Sequence, residues 1–227
     1  MTKPANADAW GLERVVDFFD TERTTTDDVY PSEWIFLKER LRDGMSLLDV
    51  GCAQGGFASV AAEHIADFRY TGVDINAQMI ERARERHPGH IFHHVPEADL
   101  AILGEAQFDL VLVLGILHLH EKWRDTIAAA WAHTSGALLL DLRETQLASV
   151  EDKAVSYFRM DFNGGDARYE ETTLPYNIIN SADALEAVIA TCPGSRGLRR
   201  YGYLHPVSGA AVTPIETVMT SAYLVER

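Results

Sequence analysis

The sequence predicts an α/β fold in which helices cover both faces of a mostly parallel, seven-stranded sheet. Short apolar runs alternate with helix-like segments through the middle of the chain, as in successive strand-helix-strand units. The apolar run 47–50 breaks into glycines and continues into a helical pattern, which is typical of a strand followed by a tight turn. Two strand-like runs, 198–204 and 218–226, flank a loop with two prolines and a glycine, and this favours an antiparallel hairpin.

Two helices are predicted in the N-terminal segment 1–44, which we expect to form a helical cap. The first covers 10–20, and the second begins at Pro31–Ser32 and continues to about residue 42, before Asp43–Gly44 ends it. Each helix carries an apolar stripe: Leu12, Val15, Val16, Phe18 and Phe19 in the first, and Trp34, Ile35, Leu37 and Leu41 in the second.

The central alternation predicts the parallel part of the sheet. The predicted strands cover 47–50, 70–74, 91–95, 108–114 and 137–142, and the predicted helices cover 58–66, 77–86 and 123–133. Pro88–Gly89 ends the second of these helices, and the fourth strand is apolar enough to be buried on both faces.

The segment 144–180 interrupts this alternation. It contains an Asn-Gly-Gly-Asp turn at 163–166, scattered aromatic residues and a proline, so we interpret it as an insertion with local structure. Long insertions in compact domains are often lids, and we expect this one to cover a domain that spans 45–227. Ser181 is expected to cap the helix that follows, which ends at about Thr191.

Composition excludes several classes of function. The chain has 227 residues and a formal net charge of −14, which disfavours nucleic acid as partner or substrate. The apolar run 110–119 is about half the length of a membrane span, and residues 1–8 lack the apolar core of a signal peptide. Cys52 and Cys192 lie far apart, which fits a reducing compartment, so we expect a cytoplasmic protein without a membrane partner.

Candidate binding residues follow the ends of the predicted strands. Four groups lie at the carboxyl ends of predicted strands: the turn 49–55, Asp74, the segment 97–99 and Gly115–Ile116. Ligands of parallel sheets bind beyond these carboxyl ends, where the strand order reverses. Asp74 is placed to accept two hydrogen bonds from the hydroxyls of a ribose, although it could instead cap the next helix.

Three motifs in this order resemble those of the class I S-adenosylmethionine-dependent methyltransferases. The segment 48–55 (LDVGCAQG) is similar to motif I, and 71–75 (TGVDI) is similar to the next motif. The segment 108–112 (FDLVL), followed by 115–118 (GILH), resembles the fourth-strand motif. The resemblance covers about 45–142 plus the closing hairpin. It implies a Rossmann-like sheet and S-adenosyl-L-methionine as cofactor.

The resemblance also implies a set of cofactor-binding residues. Gly51, Ala53 and Gly115 would meet the methionine part, Asp49 would assist through the amino group or a water, and Asp74 would hold the ribose. Ile75 would pack on adenine, with Ala98 and a neighbouring acid at the adenine edge. The full predicted set is Asp49, Gly51, Cys52, Ala53, Gly55, Phe57, Asp74, Ile75, Glu97, Ala98 and Gly115. Ala53 departs from the family, which usually has glycine there.

Three residues are candidates for the chemistry of methyl transfer. His118 matches a position that is often histidine in this family, and it would either remove a proton from the acceptor or only shape the pocket. His120, together with Glu121, is a second candidate for the base. Arg143 would either orient an anionic substrate or pair with Glu144. No metal is expected, because the predicted fifth strand is not followed by the Asp-Asn pair of the magnesium-dependent branch.

The predicted function is therefore methyl transfer to oxygen or nitrogen of a small-molecule or sugar-type acceptor. One alternative is an NAD-dependent dehydrogenase, since Gly51, Ala53 and Gly56 fit a dinucleotide-binding fingerprint and Asp74 lies at the expected distance. Another alternative is a catalytically weak methyltransferase-like subunit that serves a partner protein. The sequence leaves the oligomeric state open.

Overall fold

A computed structural model describes residues 9–10, 13–20, 23–95, 99–160 and 173–227, and all structural statements concern these residues. The strands are β1 Met45–Val50, β2 Phe68–Asp74, β3 Ile91–His94, β4 Phe108–Val113, β5 Thr134–Thr145, β6 Tyr157–Arg159, β7 Thr173–Pro175, β8 Ile179–Asn180, β9 Gly197–Pro206, β10 Ala211–Val212 and β11 Thr217–Glu226. The helices are α1 Glu13–Phe18, α2 Pro31–Arg40, α3 Gly56–Ala62, α4 Ala77–Arg86, α5 Trp123–Ala132 and α6 Ser181–Thr191.

The main sheet has the strand order β3-β2-β1-β4-β5-β11-β9, and the two-residue strand β8 pairs with the end of β5. The first five strands are parallel to one another, whereas β11 is antiparallel to both β5 and β9. The predicted seven-stranded, mostly parallel sheet with a C-terminal hairpin is therefore confirmed. The sheet of a classical dinucleotide-binding domain is parallel throughout, whereas this sheet ends in the antiparallel strands β11 and β9.

The strand order reverses between β1 and β4, and this reversal positions the functional site. The chain leaves β1 toward β2 and β3 on one side, and it returns to pair β4 on the other side of β1. Consequently the loops after β1 and β4 diverge and leave a crevice at the carboxyl edge of the sheet.

Apolar side chains fill both faces of the sheet. One core contains Phe36 and Leu37 from α2 together with Phe57 and Val60 from α3, while the opposite core contains Trp123 and Ile127 from α5, among others. The helix α2 packs against β5 and β11. In α1, Val15 and Val16 are buried in a third cluster at the carboxyl edge of the sheet, together with Tyr176 and Ile215.

The insertion contributes strands to a second, small sheet. Its order is β10-β6-β7, so the loop of the C-terminal hairpin supplies one strand and the insertion supplies two. Residues 161–172 of the predicted lid lie outside the described residues. Among the described helices, none has both the length and the apolar character that crossing a membrane requires.

Two details of the predicted elements differ in the structure. β5 is longer than the predicted 137–142, because β11 pairs with it as far as Glu144 and buries its polar end. Ser181 does not cap α6, because it is the first helical residue. Instead, Asn180 accepts a hydrogen bond from the backbone N–H of Ala182 at 2.9 Å.

Candidate active site

A cavity of about 840 Å³ lies at the carboxyl edge of the sheet. Its wall is formed by the loops after β1, β2 and β4, by residues of α1 and by residues of the small sheet. Most of the predicted site residues are on this wall: Gly51, Cys52, Ala53, Phe57, Asp74, Ile75, Gly115, His118, His120 and Arg143. The volume is that of a small-molecule or cofactor site.

The turn after β1 brings the backbone of the chain to the cavity. Gly51 has φ +82°, and a Cβ atom there would lie 2.8 Å from Cγ2 of Ile116, so only glycine fits. Ala53 also has a left-handed conformation, with φ +46°, which strains a residue that has a side chain. The backbone N–H of Ala53 donates to Oδ2 of Asp74 at 2.9 Å, and this bond helps to hold the strained turn.

Asp74 presents a carboxylate beside apolar side chains. Its Oδ1 accepts a second backbone hydrogen bond, from Asn76 at 2.8 Å. Asn76 itself caps α4 by accepting from the N–H of Met79, so Asp74 is not the cap. Burial raises the pKa of Asp74, and the two backbone bonds oppose that rise. Ile75 and Leu100 line the cavity nearby, so a ligand here meets both a hydrogen-bond acceptor and an apolar wall.

Four predicted cofactor residues are not seen on the wall. Asp49 is buried under the turn and accepts a hydrogen bond from the Tyr70 hydroxyl at 2.5 Å, and burial raises its pKa to about 7. Gly55 lies at the start of α3, where a Cβ atom would face His87 and Phe92. Glu97 and Ala98 lie outside the described residues. Asp49 therefore connects β1 to β2 through Tyr70.

The loop after β4 meets an arginine that the sequence interpretation did not select. Gly115 has φ +78°, its N–H donates to Oδ1 of Asp141 at 2.5 Å, and a Cβ atom there would lie 2.9 Å from Nη1 of Arg23. The Arg23 guanidinium packs over the rings of Tyr30 (4.9 Å) and Phe57 (5.7 Å). Arg23 lies in the polar segment 21–28, which has the composition of a linker, so no sequence signal distinguishes it.

Arg23 is paired with a carboxylate on the side away from the cavity. Its Nη2 lies 3.3 Å from Oε1 of Glu33, and Glu33 is completely buried in α2 and is not on the wall. Burial raises the pKa of Glu33 to about 7, although Arg23 opposes the shift. The guanidinium of Arg23 therefore lines the cavity, whereas the carboxylate of Glu33 does not.

His118 is buried on the wall, with 7% of its surface exposed. Its ring makes an edge contact with Tyr176 at 5.7 Å, and within the described part of the chain Nδ1 has no hydrogen-bond partner. Burial, with the nearby charges of Arg143 and Arg23, lowers its pKa well below 6.5. The imidazole is therefore neutral at physiological pH. His120 is also on the wall, and its Nδ1 accepts from the N–H of Lys122 at 3.3 Å.

Arg143 lies beside His118 and pairs with Asp141, not with Glu144. Its Nη1 donates to Oδ2 of Asp141 at 2.5 Å, and the guanidinium carbon is 5.6 Å from the Tyr30 ring centroid. Glu144 instead accepts from the Tyr223 hydroxyl and pairs with Arg200 at 3.2 Å. The predicted alternative of an Arg143–Glu144 pair is wrong, because adjacent residues of a strand point to opposite faces.

Known proteins resemble this chain in both sequence and fold. A family model described as a methyltransferase domain matches residues 48–139. A solved S-adenosylmethionine-dependent methyltransferase from Mesorhizobium loti has a TM-score of 0.54 at 18% identity, covering 86% of this chain and 98% of that one. Residues 48–139 therefore match a methyltransferase domain, and the chain has the fold of a solved S-adenosylmethionine-dependent methyltransferase.

The other similar proteins are named for different acceptors. Trans-aconitate 2-methyltransferase of Rhodopseudomonas palustris is 31% identical over 83 residues, which are 37% of this chain and 30% of that protein. Ribosomal protein L11 methyltransferase of Thermotoga maritima is 29% identical over 120 residues, 52% of this chain and 45% of that protein. Magnesium protoporphyrin IX methyltransferase of Synechocystis, solved with bound S-adenosylmethionine, has a TM-score of 0.51 at 15% identity and covers 100% of this chain and 86% of that one. The chain spans less than half the length of the two curated relatives.

Proposed function

We propose that this protein transfers a methyl group from S-adenosylmethionine to oxygen or nitrogen of a small molecule. The proposal rests on one observation: a single cavity contains both the predicted cofactor residues and the candidate catalytic residues. The glycine turn after β1, the carboxylate of Asp74 and the backbone of Gly115 lie on the same wall as His118 and Arg143. A site for a nucleoside-like cofactor is thus joined to a polar site where a second molecule can react.

The residues of the wall fit the parts of this cofactor. We assign the ribose hydroxyls to Asp74, the adenine to Ile75 with Ala98 and Glu97 at its edge, and the methionine part to Gly51, Ala53 and Gly115. The fit rests on the carboxylate of Asp74, which lines the cavity beside an apolar wall, and on backbone that no Cβ atom covers at Gly51. When bound, the cofactor supplies an electrophilic methyl group on a sulfonium.

Arg23 is our addition to the predicted cofactor residues. Its guanidinium lies against Gly115, where a Cβ atom would come within 2.9 Å of Nη1, and it lines the cavity. Its partner Glu33 does not line the cavity. A guanidinium with five N–H donors suits the α-carboxylate of the methionine part. Arg23 would thereby connect the N-terminal segment to the bound cofactor.

His118 is better suited to hydrogen bonding than to removing a proton. A base must gain a proton during the reaction, and burial beside Arg143 and Arg23 makes a positive charge on this ring unfavourable. Its unpartnered Nδ1 nonetheless requires a polar group of a ligand. We therefore assign His118 to holding the acceptor, and Arg143 to orienting it.

The enclosure of the cavity supports a small acceptor. Phe18 and Phe19, from the end of α1 and the residue after it, and Phe158 and Met160, from the small sheet and the residue after β6, lie on its wall. A cavity that these side chains partly enclose has room for a metabolite beside the cofactor. The name of the trans-aconitate relative agrees with a small acceptor.

Calorimetric titration of the full chain tests the cofactor assignment. We expect S-adenosylhomocysteine to bind and NAD not to bind. In Arg23→Gln, S-adenosylhomocysteine should bind at least tenfold more weakly, whereas methylthioadenosine, which lacks the α-carboxylate, should be unaffected. Arg124→Gln is the matched control, because Arg124 pairs with Glu151 at the surface and is not on the wall. Binding of NAD without S-adenosylhomocysteine refutes the proposed function.

A further inference from the structure

Arg143 presents a cation to the cavity while its counter-ion lies behind it. Asp141 is fully buried and is not on the wall, although it accepts from Nη1 of Arg143 at 2.5 Å. An arginine has five N–H donors in a planar fork, and the bonds to Asp141 and to the Tyr176 hydroxyl use two of them. The other donors of the fork remain for a ligand in the cavity.

The charge around Arg143 favours an anion. Arg23 and Arg143 both pack near the ring of Tyr30, at 4.9 and 5.6 Å from its centroid. Their carboxylate partners, Glu33 and Asp141, are buried and are not on the wall. A ligand at this part of the cavity therefore meets the two guanidinium groups before it meets their counter-ions.

His118 adds a polar contact beside this cation. Its ring is nine-tenths buried, its Nδ1 has no partner in the described part of the structure, and the ring lies against Tyr176. Buried polar atoms are normally hydrogen-bonded, so an unpartnered one on a cavity wall marks the place of a ligand's polar group. Arg143 and His118 together define a polar end for the acceptor site.

Apolar side chains line part of the acceptor site, beside other polar residues of the same wall. Leu119, Phe158 and Met160 line the cavity in the same region of the fold, where the loop after β4 meets the small sheet. A molecule with a polar head and an apolar body would contact both Arg143 and these apolar side chains.

We propose that the methyl acceptor is a small carboxylic acid with an apolar body, whose carboxylate binds to Arg143 beside His118. This inference rests on the proposed function and names the acceptor class for the same site. The two oxygens of a carboxylate can accept two parallel hydrogen bonds from the guanidinium fork, whereas a hydroxyl or an amine cannot. A carboxylate is also already ionised at neutral pH, so one of its oxygens could form the bond to the methyl group as the methyl–sulfur bond breaks and S-adenosylhomocysteine leaves, without removal of a proton.

Binding of matched acid and amide pairs tests this inference. The full chain is saturated with S-adenosylhomocysteine and titrated with octanoate, benzoate and trans-cinnamate, and with the corresponding primary amides. We expect at least one acid to bind tenfold or more tightly than its amide. The amide keeps the shape of the acid and removes only its charge and one acceptor oxygen.

Two variants of the wall locate the carboxylate. Arg143→Lys keeps the ion pair with Asp141 but lacks the fork, so it should weaken acid binding at least fivefold and leave amide binding unchanged. The double variant Asp141→Asn with Arg143→Gln removes both charges together and should abolish the preference for acids. Arg124→Gln should behave as the wild type in every titration. Arg143→Lys and Arg124→Gln should bind S-adenosylhomocysteine within about threefold of the wild type, and the double variant, whose Asp141 contacts Gly115, is checked for folding by its urea unfolding curve.

The failure of this inference is distinguishable from the failure of the proposed function. If S-adenosylhomocysteine binds but no acid binds more tightly than its amide, the acceptor is not a carboxylic acid and only this inference is overturned. The same holds if acids are preferred equally by the wild type and by both Arg143 variants. If S-adenosylhomocysteine does not bind at all, the proposed function itself is wrong.

Discussion

Replacing Glu33 by glutamine should change the pH dependence of stability in a direction set by burial. Glu33 is completely buried in α2, its Oε1 pairs with Arg23, and its Oε2 has no hydrogen-bond partner among the described residues. Burial raises its pKa from 4.5 to about 7. The folded state therefore holds this proton more tightly than the unfolded chain does, and the resulting stability is lost as the pH rises through 7.

The size of the effect follows from the two pKa values. A carboxyl with a pKa of 4.5 in the unfolded chain and about 7 in the folded chain loses about 2.5 kcal/mol of stability between pH 5 and pH 8. Glutamine has a similar shape and does not titrate. Glu33→Gln should thus have a stability close to that of the wild type at pH 5, and should be more stable than the wild type by about 2 kcal/mol at pH 8.

Urea unfolding at pH 5, 6, 7 and 8 measures this difference. Glu39→Gln is the control on the same helix, because Glu39 is exposed and pairs with Arg199 at the surface. Its unfolding free energy should remain parallel to that of the wild type. Parallel curves for Glu33→Gln and the wild type over the whole pH range would refute the reasoning, because Glu33 would then titrate alike in both states.

Four further substitutions test the cavity wall. Ala53→Gly should leave the free energy of unfolding unchanged or raise it by up to about 1 kcal/mol, because it relieves the left-handed φ of +46°. Gly115→Ala should weaken binding of S-adenosylhomocysteine at least tenfold in calorimetry, since the new Cβ atom would displace Arg23. Asp74→Asn should cost about 1–3 kcal/mol in urea unfolding, because an amide accepts only one of the two backbone bonds that the carboxylate accepts. His118→Gln should lower kcat/KM without changing the shape of its pH profile between pH 6 and 8, because His118 is already neutral there.

Matched controls separate local effects from general ones. Ala128→Gly lies on the exposed side of α5 and should cost about 0.5–1 kcal/mol, in contrast to Ala53→Gly. Gly194→Ala has a φ of +76° with open space around its Cβ position, so it should cost stability without weakening cofactor binding. Equal losses of affinity in Gly115→Ala and Gly194→Ala would contradict the position given to Arg23. An acidic limb of the wild-type pH profile that is absent in His118→Gln would restore His118 as the base.

Local sequence determined the central units of the fold. The predicted helix 77–86 coincides with α4, since Asn76 caps its start and Pro88–Gly89 follows its end. The apolar run before the glycine turn, the acid after β2 and the glycine after β4 were placed correctly at one edge of the sheet. Strand-helix alternation fixes that edge, because parallel strands all end on the same side.

Only the tertiary structure decided which side chains the cavity meets. Arg23 belongs to a polar segment, yet Glu33, Tyr30 and Phe57 come from elsewhere in the chain and bury it against Gly115. Asp49 was predicted to assist the cofactor, and the tertiary structure adds Tyr70 of the next strand as a donor to its carboxylate. Local sequence specifies backbone patterns through hydrogen bonding and apolar spacing, whereas the partner of a buried charge depends on contacts between residues distant in the chain.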